Sequence, residues 1–195
     1  YASLDSHRPY QIFFNHWWID PATGEHPAPF TVITHEDVLR GKWQALLHPV
    51  WSVGHYLPTL KKNAQKDLMI WPEHTMLGTM GHDLMPVLSE ALSFYSTARR
   101  SQVNFILKGT VPRVEHYGIF APEVEDPTDP AGVINTAVLN LISKHDLIYV
   151  AGEAKSHCVL ETMKQLTTHF AKQPGIIRRF RFIEDGTSSV VHPDI

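Results

Sequence analysis

The sequence predicts an α/β fold built around a mainly parallel sheet, and three observations carry that expectation. Short apolar runs of strand length recur along the chain, helical patterns of apolar residues fill most of the gaps between them, and polar or glycine-containing turns separate the two. Strands that alternate with helices form βαβ units, and their right-handed crossovers lay helices on both faces of the sheet, giving three layers, α/β/α.

The strand-length runs lie at 66–70, 103–107, 147–151 and 180–183, with a strand end at 1–4. Asp83 suits the cap of a helix running to about Arg99, with Leu84, Val87, Leu88 and Leu92 on one face. Residues 131–144 set Val133, Ile134, Ala137, Val138, Leu141 and Ile142 at helical spacing. Residues 156–170 set Val159, Met163, Leu166 and Phe170 four, three and four apart, and Pro174 with Gly175 ends that helix.

Residues 9–65 break the alternation. Trp17, Trp18, Trp43 and Trp51 stand there with several prolines and with His16, His26, His35, His48 and His55, and the periodicity is weak. The segment reads as a long insertion in one domain spanning 1–195, with short helices near 36–42 and 54–62. A structureless excursion of that length is a functional lid, an oligomer contact or a plain surface insertion. Trp17, Trp18 and Trp51 are either interface anchors or members of a second core.

Composition bounds the function. The 195 residues are 43% apolar and 19% charged, enough for one domain with a buried core. A formal net charge of −3 without a basic run argues against nucleic-acid binding, which needs a clustered cationic surface. No run approaches the ~20 apolar residues of a membrane span, and no signal peptide is visible in the sequence, which starts at Tyr1 without an initiator Met and so leaves room for a lost leader. The single cysteine excludes an intrachain disulfide and fits a reducing compartment, so a soluble cytoplasmic protein is expected.

Open α/β sheets bind ligands at the carboxyl ends of their strands, and the polar signals of this chain fall at such ends. Cys158 follows the run 147–151 at the start of a helix, where unpaired N–H groups and the positive end of the dipole favour a thiolate and offer donors to an oxyanion. A lone cysteine is also commonly a structural one. Lys108 ends the run 103–107, where it can lower a thiol pKa or stabilise negative charge, or simply be solvated. Asp5 and His7 point the same way on an extended segment, and His74 follows the run 66–70. One carboxylate and two imidazoles suit a zinc-, manganese- or iron-type ion with positions left for water or substrate, provided the two strand ends are adjacent.

These residues stand in segments that resemble the nicotinamidase branch of the isochorismatase-like cysteine hydrolases. Leu4-Asp5-Ser6-His7-Arg8-Pro9 resembles the metal segment of that family, and Trp71-Pro72-Glu73-His74 with Gly78-Thr79 and Gly81 resembles its Trp-Pro-x-His segment. Lys108-Gly109-Thr110 with Tyr117-Gly118-Ile119-Phe120, and Val150-Ala151-Gly152 with His157-Cys158-Val159 and Thr162, resemble its lysine and nucleophile segments. Glu184-Asp185 with Ser188-Ser189-Val190 is similar to its late strand and loop. The four main segments come in the family's order over nearly the whole chain, with 9–65 unmatched.

The resemblance implies a Cys-Lys-Asp triad in which Cys158 and Lys108 fill two places, and an amide hydrolysed through a thioester with release of ammonia. It implies a divalent metal, zinc foremost with iron or manganese as alternatives, held by Asp5, His7 and His74 against a pyridine nitrogen. Trp71 lines the ring pocket, Tyr117 or Phe120 adds an aromatic wall, and Ala154 faces the substrate. A non-proline cis peptide is expected before the cysteine, near Val150–Ala151, and a homo-oligomer is expected too. The family's third triad member, an Asp ending a first strand, has no counterpart in the four residues before Asp5, too few for a parallel strand and its crossover. The sequence thus reads as trimmed at both ends. Glu153 is the nearest carboxylate to Cys158 in sequence, but it sits in a loop expected to supply backbone donors. Three functions follow in order: an amidase for nicotinamide or a similar aromatic carboxamide, a hydrolase of another small amide, and an inactive scaffold lacking the triad Asp.

Overall fold

From Tyr1 to Glu115 the elements of the computed structural model run β1 (Ala2–Asp5), β2 (Trp18–Ile19), β3 (Val32–Ile33), α1 (His35–Leu39), β4 (Gln44–Ala45), α2 (Pro49–Trp51), α3 (Leu57–Ala64), β5 (Leu68–Met69), α4 (Pro86–Arg99) and β6 (Phe105–Lys108). From His116 onward they run α5 (Thr136–Ile142), β7 (Ile148–Val150), α6 (Leu160–His169), α7 (Pro174–Ile177) and β8 (Phe180–Phe182). These two stretches are separate compact units, and the structure describes residues 1–191. No helix among the described residues is long and apolar enough to cross a membrane.

In the first unit β1 and β6 pair in parallel, with Asp5 opposite Lys108. The period-2 alternation of β6 buries Ile106 and Lys108 and exposes Phe105 and Leu107. The other pairs, β2 with β4 and β3 with β5, are antiparallel; β2, β3 and β4 belong to the segment that broke the sequence pattern, and β5 lies in the run at 66–70. That segment is a core and not a loose excursion. Ile12, Phe13, Phe14, Trp17, Trp18, Ile33, Tyr56 and Leu60 are all buried, each contributing about 1.5–3 kcal/mol for burial. The indole N–H of Trp17 donates to Ser52 Oγ at 3.0 Å, and that of Trp18 to the Ile12 carbonyl at 2.7 Å. Neither indole is an exposed anchor. Trp51 is half-buried, with the Arg113 guanidinium 4.8 Å from its ring centre.

The helices follow their local chemistry. Thr34 caps α1 by accepting the Asp37 N–H at 2.9 Å. Residues 49–64 are helical throughout, with a widened π turn at Ser52–Tyr56 between α2 and α3. The helix expected from Asp83 starts instead at Pro86. Proline fixes the first helical position and holds Met85 extended, while Asp83 ends a short 3₁₀ turn, Met80–His82. Its apolar face is not core: Val87 is 70% exposed, Leu88 is exposed as well, and Leu84 and Leu92 are half-buried. Periodicity marks an apolar face without saying what packs on it.

In the second unit β7 and β8 pair in parallel across α6 and α7, the βαβ arrangement the alternation predicted. The helix expected over 131–144 is confined to α5, because Asn135 caps it by accepting the Val138 N–H at 3.1 Å. Pro174 does not close α6 but opens α7, since proline is welcome at a first helical position. Phe120, Leu139, Ile142, Leu166 and Phe170 form the core of this unit.

Candidate active site

The parallel register of β1 and β6 sets Asp5 beside Lys108, and the Lys108 ammonium donates to Asp5 Oδ1 at 2.7 Å. Beyond β1 the chain pairs on its other side. His7 N–H donates to the Thr75 carbonyl at 3.2 Å, and Leu77 N–H donates to the His7 carbonyl at 2.9 Å. β5 therefore does not itself neighbour β1, but the segment after it does, and this brings His74 to Asp5.

The imidazoles converge on the second carboxylate oxygen. His7 Nε2 lies 3.1 Å and His74 Nε2 3.6 Å from Asp5 Oδ2. Each ring is pinned from behind by a backbone carbonyl: Nδ1 of His7 donates to Gly109 at 3.1 Å, and Nδ1 of His74 to Pro72 at 2.7 Å. A carbonyl only accepts, so each Nδ1 carries a proton, and both Nε2 atoms face the same carboxylate oxygen. Two imidazole nitrogens and a carboxylate facing one point make a donor set that a cation can bridge. The three ligand atoms lie within 4.8 Å of one another, so the donor set fits a divalent ion.

The walls are tight. His7 is 2% exposed, with the Phe13 ring 4.8 Å and the Phe14 ring 5.7 Å away. Gly109 has φ +75°, and a Cβ there would come within 2.7 Å of His7 Cε1, so only glycine lets the backbone approach the ring. Burial alone would push the Asp5 carboxyl up, but hydrogen bonds from His7 and His74 and the Lys108 charge hold it far below the usual carboxylate range. Burial likewise opposes the His74 cation, yet its bonds to Asp5 and the Pro72 carbonyl, with the charges of Asp5 and Glu115, raise its pKa.

Trp71 is half-buried in this unit, with its ring 6.4 Å from His74 and 6.0 Å from Phe30.

Cys158 belongs to the second unit. It is half-buried in a widened turn, Lys155–Val159, that leads into α6, and so sits at the positive end of that helix. Its carbonyl accepts the Thr162 hydroxyl at 2.7 Å, and the Ala154 carbonyl takes the N–H groups of His157 and Val159, both at 3.1 Å. The late loop ties the turn down: Lys155 N–H reaches Ser188 O at 2.7 Å, and Val190 N–H reaches Ser156 Oγ at 3.1 Å. The Glu153 carboxylate accepts from Ser188 N–H at 3.0 Å and from its hydroxyl at 2.8 Å, so it holds the loop. The cis peptide is Glu153–Ala154, three residues after the position expected near Val150–Ala151.

Of the two aromatic wall candidates, Phe120 is 1% exposed and packs in the core of this unit. Tyr117 is half-buried with its ring 5.8 Å from that of His157.

Solved structures share this fold. An Acinetobacter nicotinamidase-pyrazinamidase matches 98% of this chain with a TM-score of 0.53 at 16% identity. The yeast nicotinamidase Pnc1p matches 98% with 0.53 at 15%, and the same enzyme bound to the inhibitor nicotinaldehyde matches 98% with 0.54 at 14%. The chain has the nicotinamidase fold. It is the α/β fold of isochorismatase-like cysteine hydrolases, and this chain spans 66%, 69% and 68% of those three proteins. At such identities the likeness is one of fold. No family model matches the sequence, and no curated protein matches it.

The sequence pattern did not single out Gln11, which contacts the same Gly109 carbonyl as His7. Its only signal is a lone amide at the head of the apolar run Ile12-Phe13-Phe14.

Proposed function

We propose that this protein is a metal-assisted cysteine amidohydrolase releasing ammonia from nicotinamide or a similar small aromatic carboxamide. The observation that carries the proposal is the convergence of His7 Nε2 and His74 Nε2 on Asp5 Oδ2, with both Nδ1 atoms bound to carbonyls. Asp5, His7 and His74 would hold a divalent ion, zinc foremost. When bound, that ion supplies a Lewis-acid contact for a ring nitrogen and orients the carboxamide.

The remaining work falls to the chain's own groups. The Cys158 thiolate attacks the amide carbon and forms a C–S bond, and backbone N–H groups of its turn stabilise the oxyanion. Collapse breaks the C–N bond, the nitrogen takes a proton and ammonia leaves. Water then cleaves the thioester, releasing the carboxylic acid and restoring the thiol. Lys108, paired with Asp5, is the cationic member of the proton-handling machinery. Trp71, in the unit that holds the cradle, supplies aromatic surface for the ring.

Ammonia release from nicotinamide tests this, run for the wild type, for Cys158→Ala and for a chelator-treated sample. The expected result is turnover that both treatments abolish. Turnover indifferent to Cys158 would refute the mechanism. Rapid alkylation of Cys158 at pH 6 without release from nicotinamide would move the substrate to another small amide.

A further inference from the structure

Gln11 is fully buried four residues after His7, and its side-chain amide joins two backbone stretches. Its Nε2 donates to the Gly109 carbonyl at 2.6 Å, with a longer contact to the Val111 carbonyl at 3.5 Å, while its Oε1 accepts the Arg8 N–H at 3.2 Å. The partners fix which way the amide points, because the carbonyls only accept and the N–H only donates. The Gly109 carbonyl is also the acceptor for His7 Nδ1. Gly109 follows Lys108 directly, in a conformation at φ +75° that leaves no room for a side chain against the His7 ring. A backbone corner that free of side-chain constraint needs something else to hold its carbonyl.

We infer that Gln11 is a positioning residue that sets the tautomer and orientation of His7 through the shared Gly109 carbonyl. The inference rests on reading Asp5, His7 and His74 as a metal cradle. With the carbonyl clamped, a proton stays on His7 Nδ1 and its Nε2 stays turned toward Asp5 Oδ2. Without the clamp the carbonyl swings, and the proton redistributes between the two ring nitrogens. Groups that orient a ligating histidine typically contribute about 10–100-fold to metal affinity. Gln11 acts through Gly109 and touches neither ion nor substrate.

The test uses the full-length protein and Zn²⁺ alone. Gln11→Met keeps the side-chain length and removes the donor, and Gln11→His restores a ring N–H that can reach the carbonyl. The expected result is Zn²⁺ affinity about tenfold weaker in Gln11→Met, measured against a chromophoric chelator, and recovered in Gln11→His. In the metal-free wild type, ¹⁵N NMR of His7 is expected to show a single state with a proton on Nδ1, giving way to a mixture in Gln11→Met. A folded Gln11→Met with wild-type affinity and a single state would overturn the inference. Should Gln11→Met fail to fold, a wild-type His7 without a proton on Nδ1 would overturn it alone. Wild-type protein that binds no Zn²⁺ would sink the cradle reading, whereas the tautomer still decides the role of Gln11.

Discussion

At the end of β1 the polar groups are nearly buried and are joined over long stretches of sequence: Lys108 meets Asp5 across 103 residues, and His7 meets Gly109 across 102. At the end of β7, Cys158 is half-buried, and its turn is held by its own helix and by the loop around Ser188. The first region is an assembly that exists only when the unit folds, so its chemistry is coupled to stability. The second is a local turn whose reactivity comes from helix position. Metal affinity should therefore respond to distant substitutions in the first unit, and thiol reactivity only to near ones in the second.

The largest expected effect separates the two regions. Cys158→Ala should lower ammonia release by at least about 10⁴-fold, as loss of a catalytic nucleophile does, while leaving Zn²⁺ affinity unchanged. A matching loss of Zn²⁺ affinity would erase the distinction.

Next comes Asp5→Ala, which leaves the Lys108 ammonium, 5% exposed, without its carboxylate. The cost should be about 3–5 kcal/mol in denaturant unfolding, together with loss of metal binding. Asp67→Ala breaks an ion pair of similar length, Asp67 to Lys61 at 2.6 Å, but Lys61 is exposed. That change should cost less than about 1 kcal/mol. Equal costs would mean that burial does not distinguish the cradle from the surface.

Within the second unit, Phe120→Ala should cost about 3–5 kcal/mol, as truncation of a core aromatic does. Tyr117→Ala should leave stability within about 1 kcal/mol and raise KM for the carboxamide. A change in KM from Phe120→Leu at unchanged stability would give that ring a role in substrate binding.

The smallest effects are those of pH. Asp5 is depressed in the folded state, so its contribution is present above the unfolded carboxylate value of about 4 and is lost as pH falls below it. His74 is raised, so its contribution in the metal-free protein is full below about 6.5 and is lost as pH rises through its folded value. Metal-free stability should be greatest between these limits, and His74→Gln should flatten the alkaline limb and also shrink the acid one, because His74 bonds to Asp5. Zn²⁺ affinity runs the other way, rising with pH as His74 sheds its proton.

Much of this was legible in the sequence because strand and helix periods are local. The parallel pair β7–β8 with α6 between follows from apolar runs and turns, as do the strands that end in Asp5 and Lys108, whereas the pairing of β1 with β6 across about 100 residues has no local signal. The Asp5-x-His7 geometry follows from the period of an extended chain. The burial of Trp17 and Trp18 was not legible, because two-residue strands leave too short a pattern. Gln11 was invisible for a related reason: its partner lies 98 residues away, and nothing local marks it. The exposed face of α4 shows the converse, a clear pattern whose packing the pattern does not determine.

The central claim, that the Asp5, His7 and His74 cradle serves the thiol chemistry of Cys158, is tested most directly by returning Zn²⁺ to metal-stripped protein while following ammonia release from nicotinamide. Activity is predicted to rise in proportion to bound metal, to level off at about one ion per chain, and to stay absent in His74→Ala. Full activity in stripped protein, or full activity in His74→Ala, would contradict the account.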